Sequence, residues 1–227
     1  MAAHVHGVPG EWARAQGVVM GLWPVFLGSF LAGFAIATWF VAGHAWGALL
    51  LAAAFAVIAV SAARGVTCVK RFYVGARGEE RVAGMLARLP DRYHVFNDYV
   101  VSPRVHVDHV VVGPAGVFAV ETKCWNGSVT VEEGNVLING RLPDRSPLRQ
   151  VRREAQLVKA KLAKFGWDGD VTPVLAFASD TFRAHIAEVK GAVILNSSEL
   201  LRSFDAERVV IPPAELARLV GIMENNS

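Results

Sequence analysis

At 227 residues and a formal net charge of +3, the chain has room for one domain of ordinary size plus an appendage, and its charge permits a nucleic-acid or anionic-membrane partner without demanding either. A hydrophobic fraction of 53% is high for a protein surrounded by water. The two cysteines, Cys68 and Cys124, lack any framework spacing, which excludes a disulfide scaffold and fits reduced thiols.

The apolar excess lies near the N-terminus. No Asp, Glu, Lys or Arg occurs between Arg14 and Arg64, a stretch about twice the roughly 20 residues that one membrane span needs. It divides at "AGHAWG". The first half, "VVMGLWPVFLGSFLAGFAIATWFVA", is long enough to cross a bilayer with some tilt, and "WGALLLAAAFAVIAVSAA" is near the lower limit. Trp39 and Trp46 bracket the break as amphipathic rings do at a membrane interface. Gly28, Ser29, Ala32 and Gly33 have the small-xxx-small spacing that lets helices approach closely, which leaves a homo-oligomer open, and Pro24 is tolerable inside a membrane helix.

The pattern predicts a tail over residues 1–16, a transmembrane helical hairpin over 17–63 inserted in the lipid bilayer, a juxtamembrane linker over 64–74 and a domain over 75–227. Arg14 precedes the hairpin, Arg64, Lys70 and Arg71 follow it, and the turn carries no cation. The positive-inside rule then puts both termini in the cytoplasm, with the two spans in the inner (plasma) membrane. A hydrophobic helical pair buried in a soluble core is the alternative. A cleaved signal peptide fits less well, since its apolar core runs roughly 7–15 residues.

In the remaining part, Val82, Met85, Leu86 and Leu89 recur at helical spacing before Pro90, predicting an amphipathic helix that begins near Gly78. "YHVFNDYVV", "VHVDHVVV" and "VFAVETK" read as strands, the last two joined by the "GPAG" turn. "SVTVEEGNVLING" reads as a hairpin turning at Glu133-Gly134. Leu148, Val151, Ala155, Val158, Leu162 and Phe165 form one apolar helical stripe between Pro147 and Gly166. "VTPVLAFAS" and "GAVIL" read as buried strands, and "SSELLRSF" and "PAELARLVGIM" as short helices. The order implies an α/β fold with a mixed central sheet flanked by helices.

Three charges interrupt the strands: Asp108, Glu121 and Lys123. Alternation puts His106 and Asp108 on one face, and Ala119, Glu121 and Lys123 on one face of the next strand. If the register brings the two strands' acids together, they repel unless a proton or a cation intervenes. Hard oxygen ligands suit Mg²⁺ or Mn²⁺, and a neighbouring ammonium stabilises charge on a phosphate or orients an attacking water. That combination describes metal-assisted phosphodiester hydrolysis. A self-satisfied buried ion pair accounts for the same spacing.

"GARGEERVAGMLARL", "VHVDHVVVGPAGVFAVETKCWNG" and "SPLRQVRREA" together resemble the nuclease-related domain, a family assigned to the PD-(D/E)xK nuclease superfamily with a restriction-endonuclease-like fold. The resemblance runs from about Gly75 to Ala178. It implies a metal-binding Asp108, an E-x-K pair in Glu121 and Lys123, a helix acid in Glu79 and a site glutamine in Gln150. It also implies Mg²⁺ or Mn²⁺ held by Asp108, Glu121 and the carbonyl of Thr122, and a DNA or RNA substrate. Ser146 stands where the family usually has Asn, His106-Val107 where the superfamily often has Pro before the Asp, and Cys124 where Asn is common.

Each residue keeps a second reading. Glu79 also suits a helix N-terminus, with Glu80 its rival for the site. Gln150 fits the site or solvent, and His106 fits a structural role better than a site role. Arg149, Arg152, Arg153, Lys159, Lys161 and Lys164 either track a phosphate backbone or form a solvated face, and Trp125 either stacks on a base or caps the sheet. The expectation is a membrane-anchored, divalent-metal-dependent nuclease; the alternative is a non-catalytic, membrane-tethered nucleic-acid-binding or scaffold domain.

Overall fold

The computed structural model describes residues 2–103, 105–179, 182, 186–204 and 209–226. In chain order the elements are β1 (His4–His6), α1 (Glu11–Ala42), α2 (His44–Leu86), β2 (His94–Ser102), β3 (Val105–Gly113), β4 (Gly116–Lys123), β5 (Val129–Glu132), β6 (Asn135–Ile138), α3 (Pro147–Ala163), β7 (Val171–Phe177), β8 (Ile186–Val189), β9 (Ala192–Asn196), α4 (Leu200–Ser203) and α5 (Pro213–Glu224). They fall into two compact units, Met1–Glu11 with Gly75–Ser227, and Trp12–Val74.

The second unit holds α1 and the longer part of α2. The break between them is one residue, Gly43, at φ +104°, a conformation glycine adopts without steric cost. Both helices are long and apolar enough to cross a membrane, and little of either apolar window is buried by the rest of the chain. Phe26, Phe30, Phe34, Phe40 and Phe55 are exposed, which a helical pair enclosed in a soluble core would not show. The close approach runs along Gly17, Gly21 and Gly28. A Cβ on Gly28 would lie 2.3 Å from Ile58 Cγ1, and one on Gly21 2.7 Å from Val69 Cγ2, whereas Gly33 faces open space. Small residues therefore do bring helices together, through Gly28 as the spacing suggested, but along a stripe that runs back to Gly21 and Gly17 rather than on to Gly33.

The α/β unit is built on a seven-stranded sheet in the order β1-β2-β3-β4-β7-β9-β8. The pairs β1–β2, β4–β7 and β7–β9 are parallel; β2–β3, β3–β4 and β8–β9 are antiparallel. Helix α3 makes the crossover between the parallel strands β4 and β7, and β5–β6 forms a separate hairpin with Glu132 opposite Asn135. Ala155, Val158 and Leu162 of α3 with Leu219 and Met223 of α5 pack on Val110, Val112, Val117 and Ala119. The opposite face, Val95, Val111, Val120, Val174 and Leu195, is covered by Val82 and Leu86 of α2, by Leu89 just after it, and by Leu200 and Phe204. Each buried Val, Leu, Met or Phe among these contributes about 1.5–3 kcal/mol, so the sheet is held from both sides.

Two features depart from the sequence reading. No helix starts near Gly78, because α2 runs through residues 64–86 without a stop. The segment has no proline, and each of its glycines costs only about 1 kcal/mol in a helix, so the change from uniformly apolar to amphipathic marks a new environment rather than a new element. The N-terminal residues, read as a tail, supply the edge strand. His4, Val5 and His6 lie beside His94, Val95 and Phe96, and the His4 amide donates to the Tyr93 carbonyl at 3.0 Å.

The rings of His4 and His6 stack on His94, with centroids 4.8 and 5.6 Å away. His4→Pro removes that ladder donor and is expected to destabilise the α/β unit by about 1–3 kcal/mol, read as a lower melting temperature of the full chain.

Candidate functional site

The β3–β4 ladder pairs Gly113 with Gly116 and proceeds to His109 opposite Val120, where it ends. Continued by one step, the same register sets Asp108 across from Glu121. There the strands part. The Thr122 amide, lacking a strand carbonyl across from it, donates instead to Asp108 Oδ2 at 2.7 Å. The two acids therefore sit where the ladder opens, on the sheet face covered by α3.

From α3 comes Gln150, whose helix starts cleanly because Ser146 caps it, its side chain accepting from the Arg149 amide. Gln150 Nε2 donates to Glu121 Oε1 at 2.7 Å and to Glu154 Oε1 at 3.0 Å, while its Oε1 accepts from Lys123 Nζ at 3.1 Å. Lys123 also donates to Glu121 in a short ion pair. The amide of Gln150 thus has its orientation fixed from both ends: acids on the nitrogen side, ammonium on the oxygen side.

Glu154 was not singled out from the sequence, although it lies one helical turn from Gln150. It is buried, and its Oε2 has no hydrogen-bond partner among the described residues. Its position at the border of the apolar stripe, four residues after a glutamine bound for the site, is the signal that could have found it.

The electrostatics follow from a surplus of acid. Burial, and then the charges of Glu121 and Glu79, hold the Asp108 carboxyl well above the usual range, against the opposing pull of Lys123 and the Thr122 amide. Burial and the Glu121 charge push Glu154 up to about 9. Burial alone would lower the Lys123 ammonium, but the charges of Glu121 and Asp108 and the bond to Glu121 outweigh it, and the net direction is upward. Lys123 is therefore a fixed cation, and Asp108 and Glu154 are acids for which the single lysine is insufficient.

Glu79, rather than Glu80, is the helix acid whose charge reaches Asp108. Its approach depends on Gly78, where a Cβ would lie 2.9 Å from that of Cys124 and 3.6 Å from Thr122 Cγ2, so α2 lies close against the end of β4. His106 is engaged by Asp98 at 3.2 Å. Trp125 is half-buried with its ring centroid 5.7 Å from that of Phe177, in accord with capping the sheet. The structure thus gathers Asp108, Glu121, Lys123 and Gln150, with Thr122 in the loop of contacts, and adds Glu154.

Hard carboxylate oxygens converging with insufficient cationic charge are a donor set suited to Mg²⁺ or Mn²⁺. Among the described residues no group of three or more His, Cys, Asp or Glu side chains is already arranged as a metal cage. The fit therefore rests on Asp108 and Glu121 with backbone oxygen, and waters would complete the shell, as is usual for Mg²⁺.

Two stability outcomes follow. Asp108→Asn removes one of the repelling acids, so the metal-free protein is expected to melt at the same temperature or higher; a structural ion-pair network would instead lose about 3–5 kcal/mol. Glu154 holds a proton in the folded chain that the unfolded chain releases near pH 4.5. The metal-free fold is therefore expected to lose stability as pH rises from about 4.5 towards 9, and Glu154→Gln to flatten that slope in thermal melts.

The family model described as the nuclease-related domain matches residues 74–178. The matched segment contains Glu79, Asp108, Glu121, Thr122, Lys123, Gln150 and Glu154. No curated protein and no solved structure matches the chain.

Proposed function

We propose that the chain is a membrane-anchored, divalent-metal-dependent nuclease that hydrolyses phosphodiester bonds at the cytoplasmic face. The observation that carries this reading is the surplus of carboxylates where β3 and β4 separate, with Lys123 the one cation bonded into it among the described residues. A cluster serving only its own stability has no use for acids that must be held protonated against their usual range. Asp108, Glu121 and the Thr122 carbonyl would hold Mg²⁺ or Mn²⁺, which when bound supplies Lewis-acid polarisation of a phosphoryl oxygen and a more acidic water.

The chain's own residues do the rest. Lys123, kept charged by Glu121 and Asp108, offers N–H donors to a phosphate oxygen as negative charge builds there. Gln150 fixes Lys123 and Glu121 relative to each other, so neither must reorganise during the reaction. Glu79 adds negative potential beside Asp108 and favours a cation there.

The topology supports anchoring with both termini on one side. Residues 4–6 pair with β2 in the same sheet that follows α2, so the segment between them must return to the side from which it left. The absence of cations from the break at Gly43 supports that side being the cytoplasm.

The Lys123–Glu121 pair favours a second reading, a non-catalytic tethered domain whose ion pair is structural. The test is cleavage of DNA and RNA by the full chain in nanodiscs with Mg²⁺. Wild type is expected to cut; Glu121→Ala and Lys123→Ala are expected to fold and to lose about 10²–10³-fold or more in rate. Undiminished cutting in Glu121→Ala would overturn the assigned site, and loss of the fold in Lys123→Ala with no cutting by wild type would establish the second reading.

A further inference from the structure

The six basic side chains of α3 and its C-cap do not form one solvated face; the fold separates them. Lys159 pairs with Asp170 at 2.6 Å. Lys161 donates to the carbonyls of Val100 and Asn226, each at 2.6 Å, and lies over the Tyr99 ring. Lys161 is committed to holding the helix to β2 and the C-terminal segment, and Lys159 is engaged just before β7. Arg149, Arg152 and Arg153 are exposed, and no side-chain hydrogen bond or ion pair engages them among the described residues.

Their position on the helix is specific. Arg149 and Arg153 form a stripe adjoining that of Gln150 and Glu154, and Arg152 widens it on the side away from Gln150 and Glu154, next to Ala155. The site is deepest at Glu121, whose side chain is 4% exposed, and shallower at Lys123, at 20%. Gln150 is exposed while touching both. The cluster therefore opens to solvent past Gln150, and the first thing beyond it is the arginine stripe.

The surface offers phosphates something to hold and bases nothing to stack on. Among the described residues of the α/β unit the one exposed aromatic is Phe165, past the far end of α3, and Trp125 leans on Phe177.

We infer that Arg149, Arg152 and Arg153 form a phosphate-contacting track that lays the backbone of a nucleic-acid duplex along the first turns of α3 and delivers a phosphodiester to the cluster, without reading bases. This rests on the nuclease reading for its second half, delivery, but not for its first, binding. Arg149 and Arg153, four residues apart, are spaced about 6 Å along the helix axis, within reach of neighbouring phosphates on one strand. Guanidinium groups suit the task through their planar fork of donors.

The test is binding of a labelled 30-base-pair DNA duplex of arbitrary sequence to the full chain in neutral-lipid nanodiscs, with Ca²⁺ in place of Mg²⁺, across a range of salt. Replacing all three arginines by alanine is expected to weaken binding and to reduce the slope of log Kd against log salt by up to about 0.9 per arginine. Lys164→Ala removes one charge roughly 20 Å along the same helix and is expected to leave the slope near wild type.

A second duplex of different base composition is expected to bind equally well. Equal slopes for wild type and the triple variant would overturn the inference, as would tighter binding to single strands than to duplex or no binding by wild type at low salt. Binding that depends on the arginines in a protein that never cuts with Mg²⁺ or Mn²⁺ would sink the nuclease reading and leave this one standing. Cutting that survives in the triple variant with unchanged affinity would do the reverse.

Discussion

Carboxylates on neighbouring strands impose the constraint from which the site takes its form. Asp108 and Glu121 lie across from one another where the β3–β4 ladder stops, and Glu154 reaches the same place from α3. Their mutual repulsion in a partly dehydrated setting would separate the strands or empty the site of charge unless something positive or a proton stands between them. The fold supplies one ammonium, Lys123, and one neutral clamp, Gln150, which together fix the geometry and still leave negative charge uncompensated. The remaining deficit is what gives a cation-binding, phosphate-directed site its physical rationale.

The surrounding fold keeps this arrangement rigid. The parallel β4–β7 pairing continues to Lys123 opposite Phe177 after β3 has left, so β4 is supported on one side while its other edge is free to receive Asp108. Helix α3 is seated by Ala155, Val158 and Leu162 on the sheet, which presents Gln150 and Glu154 towards the strand ends and the arginines to solvent. Gly78 lets α2 come up against Thr122 and Cys124, and with it Glu79. The acids thus sit on four elements, β3, β4, α3 and α2, each held by its own apolar contacts. Packing offsets the electrostatic cost of the cluster.

Much of this was legible in the sequence because it is local. Alternation in "VHVDHVVV" and "VFAVETK" gives strands, a tight "GPAG" turn makes them neighbours, and charge inside apolar strands is conspicuous. The antiparallel register set by that turn is enough to bring residues 108 and 121 together. Non-local features were hidden. The pairing of His4–His6 with His94–Phe96 joins residues some 90 positions apart through a three-residue strand too short to show alternation. β8 is likewise a four-residue edge strand whose partner alone defines it. Glu154 was missed for a different reason: a glutamate in "RREAQ" reads as solvated, and its place at the border of the apolar stripe was the one cue that the seating of α3 turns it inward. The small-residue stripe of the helical pair was found in part, since spacing identifies candidates and only packing shows that Gly28, with Gly21 and Gly17 before it, meets the partner helix and Gly33 does not.

The account's central claim is that the acids at the strand ends form a cation site. The direct measurement is Mn²⁺ binding to the full chain by electron paramagnetic resonance, wild type beside Asp108→Asn. A saturable site in wild type that is lost or markedly weakened in the variant is the expected result. Equal binding by both, or none by either, would contradict it.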